Sequence, residues 1–187
     1  MSYRIRTIPT DARTLFQRGP AIDVYWFVPG LLKEQLEKQG RPVSPPIAGP
    51  VLVDTGATLS CIGESTAARL GLKPVTTRKT GGVHGERESN VYYVGMLIPL
   101  RDVDGLTGRS VNKIAMMTGV PDIEERSKNY AQMVNPATGE KVGFTGLIGR
   151  DFLSHMQLSY DGEQGSFELV LRASTFDGLP KGDHIDL

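Results

Sequence analysis

The sequence predicts a mostly β domain with a few short helices. Twelve prolines and 22 glycines are spread along the chain, which marks many turns between short strands and argues against a helix bundle. Between those turns the apolar residues run in blocks of strand length, and only brief stretches carry a helical spacing. The length of 187 residues suits one well-buried domain and is too short for two ordinary ones.

Taken in order, residues 1–20 are polar with weak periodicity, an N-terminal arm or an edge strand. "AIDVYWFV" (21–28) reads as a strand with Ile22, Val24, Trp26 and Val28 on one face and Tyr25 and Phe27 on the other, hence covered on both sides. In "PGLLKEQLEKQG" (29–40), Leu32 and Leu36 lie one turn apart before Gly40 and Pro42, the pattern of a short amphipathic helix. A strand over 51–54 follows, then a helix in "GESTAARLGL" that ends at Gly71. Two β-rich runs, 73–80 and 90–100, flank the glycine-rich connection "GGVHGERES", a candidate flap. "RSVNKIAMM" is a further strand, and "DIEERSKNYAQMV" a helix within an interruption of the β pattern. "FTGLIGRDFLSHM" passes from strand to helix, and "QLSYDGEQGSFELVL" forms a hairpin. The organisation expected is an arm (1–20), one domain (21–172) with insertions at about 29–48 and 119–143, and a polar tail (173–187).

Basic and acidic side chains balance at 21 each, without a basic run or an interleaved aromatic stripe, so nucleic-acid binding has no support. A lone cysteine, Cys61, permits no intrachain disulfide and suits a reducing compartment. No signal peptide and no run of eighteen apolar residues occurs, so a cytoplasmic protein without membrane contact is expected. His84, His155 and His184 share no metal-ligand spacing, so no metal and no cofactor are expected. Cys61 lacks a neighbouring histidine or a CxxC partner and reads as an inert thiol. Ser60 lies in no GxSxG, and a bond to nearby backbone is its plain reading.

The chemistry centres on "GPVLVDTGATLSCI" (49–62). A carboxylate ending a buried strand costs several kcal/mol unless something is arranged around it. Gly56 and Ala57 let backbone approach Asp54 closely, main-chain N–H groups in such a turn can bond its oxygens, and the Thr55 hydroxyl offers another donor.

"VLVDTGATLS" (51–60) resembles the catalytic turn of aspartic proteases, and "GLIGRDFL" (146–153) resembles the segment that packs against that turn in the retropepsin-like branch. Both motifs stand in the family's order, with a glycine-containing hairpin between them. The resemblance implies a closed-barrel acid protease fold with one lobe per chain, and an aspartic endopeptidase acting on extended peptide or unfolded protein. That chemistry requires two carboxylates sharing one proton. The chain holds one Asp-Thr-Gly, so the dyad implied is Asp54 with its copy across the two-fold axis of a homodimer. By the same resemblance Asp54 is catalytic, and Thr55, Gly56, Ala57, Gly149 and Arg150 support the catalytic loop. Gly81, Gly82, Val83, His84 and Gly85 form the flap closing over substrate. Where retroviral members place an aspartate that pairs with the motif's arginine, this chain has Thr58, so Arg150 needs another partner. The alternative in another functional class is a dimeric retropepsin-like module that binds peptides or proteins without cutting them.

Overall fold

The computed structural model describes residues 2–5, 7–8, 10–82, 85–102, 105–128, 141–172 and 184–186. Six strands close on themselves: β2 (Ala21–Phe27), β3 (Ile47–Val53), β4 (Cys61–Gly63), β6 (Gly85–Asp102), β7 (Gly105–Val120) and β8 (Gly146–Ile148). Their order round the barrel is β7-β4-β8-β3-β2-β6, and the β6–β7 ladder completes the ring. Closure leaves these strands no unpaired edge. The remaining strands extend the sheet: β1 (Ser2–Ile5) and the hairpin of β9 (Met156–Asp161) and β10 (Ser166–Arg172) continue beyond β6. β5 (Thr76–Gly82) pairs with β6, and β11 (His184–Asp186) lies parallel to β7.

Alternation in two strands builds the core. In β2, Ile22, Val24 and Trp26 are fully buried; in β6, Val94, Met96, Ile98 and Leu100 are. Period-2 side-chain placement puts each set on one face of its strand, and curling the sheet turns that face inward. Trp26 satisfies its indole by donating from Nε1 to Thr145 Oγ1 at 2.8 Å, and that hydroxyl in turn donates to the Pro50 carbonyl at 3.0 Å. The barrel wall from β2 to β8 is thereby tied through its own core.

The second face of β2 differs from expectation. Phe27 lies across Gly95, where a Cβ would sit 2.3 Å from the ring, but Tyr25 is 42% exposed. Only one face of this strand is sealed, because α2 (Gly30–Lys38) packs through Leu36 and leaves an open cleft of about 1000 Å³ beside Tyr25 and Phe27.

The N-terminal segment is neither a free arm nor an edge. β1 is flanked on both sides, by β6 and β10, with Tyr3 and Ile5 buried. α1 (Ala12–Arg18) then starts on Asp11, whose carboxylate accepts from the Thr14 N–H at 2.9 Å and the Thr14 hydroxyl at 2.8 Å. α3 (Glu64–Arg69) stops before Gly71, which has φ +70°, as expected of a helix-ending glycine. Of the helix expected in "DIEERSKNYAQMV", α4 (Ile123–Lys128) forms; the remainder lies outside the described residues, as does the tail before β11. Among the described residues no helix is long and apolar enough to cross a membrane.

Candidate active site

β3 ends at Val53, alongside β8 in parallel register with Val53 opposite Ile148. Asp54 takes one further ladder bond, donating its N–H to the Ile148 carbonyl at 2.9 Å. The chain then turns, with the Ala57 N–H reaching the Asp54 carbonyl at 3.2 Å. That turn folds backbone donors onto the side chain: Asp54 Oδ1 accepts from Gly56 N at 2.9 Å and from Ala57 N at 3.3 Å. A Cβ on Gly56 would stand 3.1 Å from the same oxygen, so glycine keeps this approach open. The half-buried carboxylate is thus oriented by main chain through one oxygen. Thr55 departs from expectation within the chain: it is exposed, and the donors to Asp54 are both backbone.

The second motif supports this loop from beneath. Gly149 has a φ of −98°, open to any residue, but its Cβ would meet the Leu59 carbonyl carbon at 2.6 Å and its oxygen at 2.7 Å. Absence of a side chain, not backbone freedom, is what this position needs. α5 (Arg150–Leu153) follows, and its first N–H groups satisfy the loop's carbonyls, Arg150 N to Ala57 O at 2.9 Å and Asp151 N to Thr58 O at 3.1 Å.

Arg150 finds its partner at the very position that lacked a carboxylate: its Nη2 donates to Thr58 Oγ1 at 2.9 Å. Asp151, pointing the other way from α5, also meets the loop. Its Oδ1 accepts from the Ser60 N–H at 2.7 Å and the Ser60 hydroxyl at 2.8 Å, and its Oδ2 from Lys113 Nζ. The same Ser60 hydroxyl accepts from Gly149 N at 3.1 Å. Lys113 also lies 5.9 Å from the Phe152 ring centroid. Ser60 is therefore a structural connector to Asp151 rather than a residue bonded only to nearby backbone. Asp151 and Lys113 escaped sequence reasoning; a lysine inside an otherwise apolar alternating strand, "VNKIAMM", was the available signal.

The candidate flap is longer in strand than expected. β5 runs to Gly82 and β6 resumes at Gly85, so most of "GGVHGERES" is paired ladder, with Gly81 opposite Glu86 and Gly82 opposite Gly85. Gly85 has φ +96°, which glycine adopts without strain. Val83 and His84 lie outside the described residues.

Cys61 is free and half-buried, with Sγ 3.5 Å from the Leu59 carbonyl. Burial, then the Asp151 charge, push its thiol up to about 11, so it stays protonated near neutrality and is a poor nucleophile. Among the described residues no three His, Cys, Asp or Glu side chains are grouped to hold a metal ion.

No curated protein and no solved structure matches the chain. The sequence profile of a family described as aspartyl protease matches residues 46–152, from the start of β3 to α5. That span takes in Asp54, the hairpin and the Gly149–Arg150 support, more than half of the chain. With its closed six-stranded barrel and its Asp-Thr-Gly turn bound to the second motif, the chain belongs to this retropepsin-like aspartyl protease family.

Proposed function

We propose that the protein is an aspartic endopeptidase whose dyad is Asp54 from each subunit of a homodimer. The observation that carries this reading is the Asp54 carboxylate fixed by the Gly56 and Ala57 N–H groups on a loop braced by α5. A group positioned in advance costs little reorganisation at the moment of reaction. Of the two carboxyl groups, one takes a proton from the attacking water while the other protonates the scissile carbonyl oxygen. Like charges about 3 Å apart cannot both ionise, which keeps one proton on the pair. Thr55 bonds across the dimer, and Gly56 accepts a substrate N–H. Gly149 and Arg150 hold the loop, the Ala57 carbonyl accepting the Arg150 N–H, and Gly81, Gly82, Val83, His84 and Gly85 cover an extended peptide or unfolded polypeptide. The lone cysteine supports a cytoplasmic setting.

The test is Asp54→Asn, nearly isosteric and incapable of the proton transfers. Cleavage of a denatured protein should fall at least about a thousandfold with the thermal midpoint unchanged or raised. Equal activity in both proteins rejects the assignment. A dimer that binds peptides and cuts none, even with Asp54 in place, establishes the non-catalytic binding module instead.

A further inference from the structure

The floor of the cleft beside α2 is the outer face of the barrel. Tyr25 on β2 stands opposite Leu97 on β6, which stands opposite Asn112 on β7, and all three line the cleft. Residues opposite one another share a face, so the three form one row about 10 Å long. On its other side Tyr25 pairs with Ala48, six residues before Asp54 along β3. The floor therefore lies about 20 Å along the barrel from the Asp54 loop. The wall is α2 with residues 41–46, where Pro42, Pro45 and Pro46 fix the backbone. A wall held in this way costs little further ordering when the cleft fills.

The lining points to what fills it. Tyr25, Phe27, Val43 and Leu97 make much of it apolar. On the rim Lys33 and Glu37 answer each other at 3.9 Å, but Arg41 has no carboxylate partner among the described residues, so one positive charge is left uncompensated. In the floor, Asn112 Oδ1 is shut off from solvent, and among the described residues no donor reaches it. That state is costly, and an N–H entering the cleft relieves it once the amide turns outward. The apolar floor also continues past the cleft. Gly95, under the Phe27 ring, has the exposed Ile114 as its neighbour on β7. Small ligands are held by pockets that enclose most of their surface, whereas an open end admits a chain that runs on.

We propose that this cleft is a peptide-docking site, separate from the Asp54 loop, for an extended apolar segment with an aspartate or glutamate beside it. Apolar side chains rest on Tyr25, Phe27 and Leu97, a backbone N–H meets Asn112, and the carboxylate meets Arg41. Docking stands independently of the function proposed above.

The test is fluorescence anisotropy on the full-length Asp54→Asn protein. The probes are fluorescein-labelled, amidated peptides of about eight residues, alternating leucine with threonine and ending in a pair of glutamates, glutamines or lysines. They are titrated to about 1 mM in about 50 mM salt. The glutamate peptide should bind about threefold tighter than the lysine peptide. Its Kd should rise about tenfold in Tyr25→Ser and about fivefold in Asn112→Leu. Arg41→Gln, at an exposed position, should abolish the preference among the peptides without changing the thermal midpoint. No binding at about 1 mM, an affinity indifferent to Tyr25→Ser, or a preference that survives Arg41→Gln overturns the proposal. Tighter binding of dodecanoate also overturns it, making the cleft a site for a fatty carboxylate. So does loss of a sedimenting dimer in Tyr25→Ser, which would make the cleft an interface between copies. Cleavage by the chain with Asp54 intact is measured in parallel. Docking of a peptide that is not cut overturns the peptidase reading and supports this one.

Discussion

At the scale of single residues, the site depends on close approach as much as on functional groups. Gly149 carries no chemistry, yet a methyl group there would collide with Leu59 backbone, which cannot swing aside as a side-chain end could. Gly149→Ala should destabilise the protein by about 1–3 kcal/mol and displace the loop that carries Asp54. Urea unfolding checks the first expectation and cleavage rate the second; full stability and full activity together would show that the loop yields freely. Cys61 gives a second test. Its folded-state thiol titrates at about 11 rather than the ordinary 9.0, chiefly through burial. A raised pKa means that the unfolded chain loses this proton first, so the contribution is fully present below about pH 9 and is lost as pH rises towards 11. Tyr92, raised by burial and its bond to Glu64 to about 12, extends the same trend at higher pH. Denaturant midpoints should fall between about pH 9 and about pH 10.5, and Cys61→Ser should flatten that fall. An identical decline in the variant would exclude the thiol as its cause.

Between elements, the decisive junction is α5 against the Asp54 loop and β7. Only four residues long, α5 cannot be stable through its own hydrogen bonds, since nucleating a helix costs more than one turn returns. It is held by its contacts: Phe152 is fully buried, its N–H groups fill the loop carbonyls, and Asp151 bridges Ser60 on the loop side to Lys113 on β7. Lys113 and Asp151 are 12% and 21% exposed, the one ion pair among the described residues with both partners largely buried, so removal of one partner leaves a poorly solvated charge. Lys113→Met should cost about 1–3 kcal/mol. Adding Asp151→Asn should restore part of it, because the amide keeps hydrogen-bonding capacity without the charge. A double-mutant cycle by urea unfolding measures the coupling; strictly additive losses would mean that the two side chains do not stabilise each other.

For the whole molecule, the barrel places one Asp-Thr-Gly turn at the junction of β3 and β8 and supplies no second copy. The reading proposed above then makes activity a property of the assembly, since only an isologous pair brings two such turns together. Specific activity should fall on dilution with the same midpoint at which sedimentation shows dimer giving way to monomer. Constant specific activity in solutions that sediment as monomer would rule out a shared dyad.

Sequence alone determined the β class, the sealed inner face of β2, the amphipathic α2, the β9–β10 hairpin, and the two motifs in their order. Each of these is written in neighbouring residues: period-2 burial, helical spacing, or a turn whose glycine must admit backbone. What only the tertiary structure decided is which distant groups meet. Thr58 seemed to deprive Arg150 of a partner and instead provides one, 92 residues away, because α5 docks under the loop it follows in space and not in sequence. Asp151 does point away from Arg150, as adjacent helical positions must, but that direction leads to Ser60, 91 residues back, and to Lys113 on a third strand. The four residues of β1 were too few to show a period, and their place between β6 and β10 follows from burying Tyr3 and Ile5 against strands nearly a hundred residues and more downstream. Local pattern selects an element and its buried face. Strand register and barrel closure then choose the partners, and the support of the candidate site consists almost wholly of partners chosen in that way.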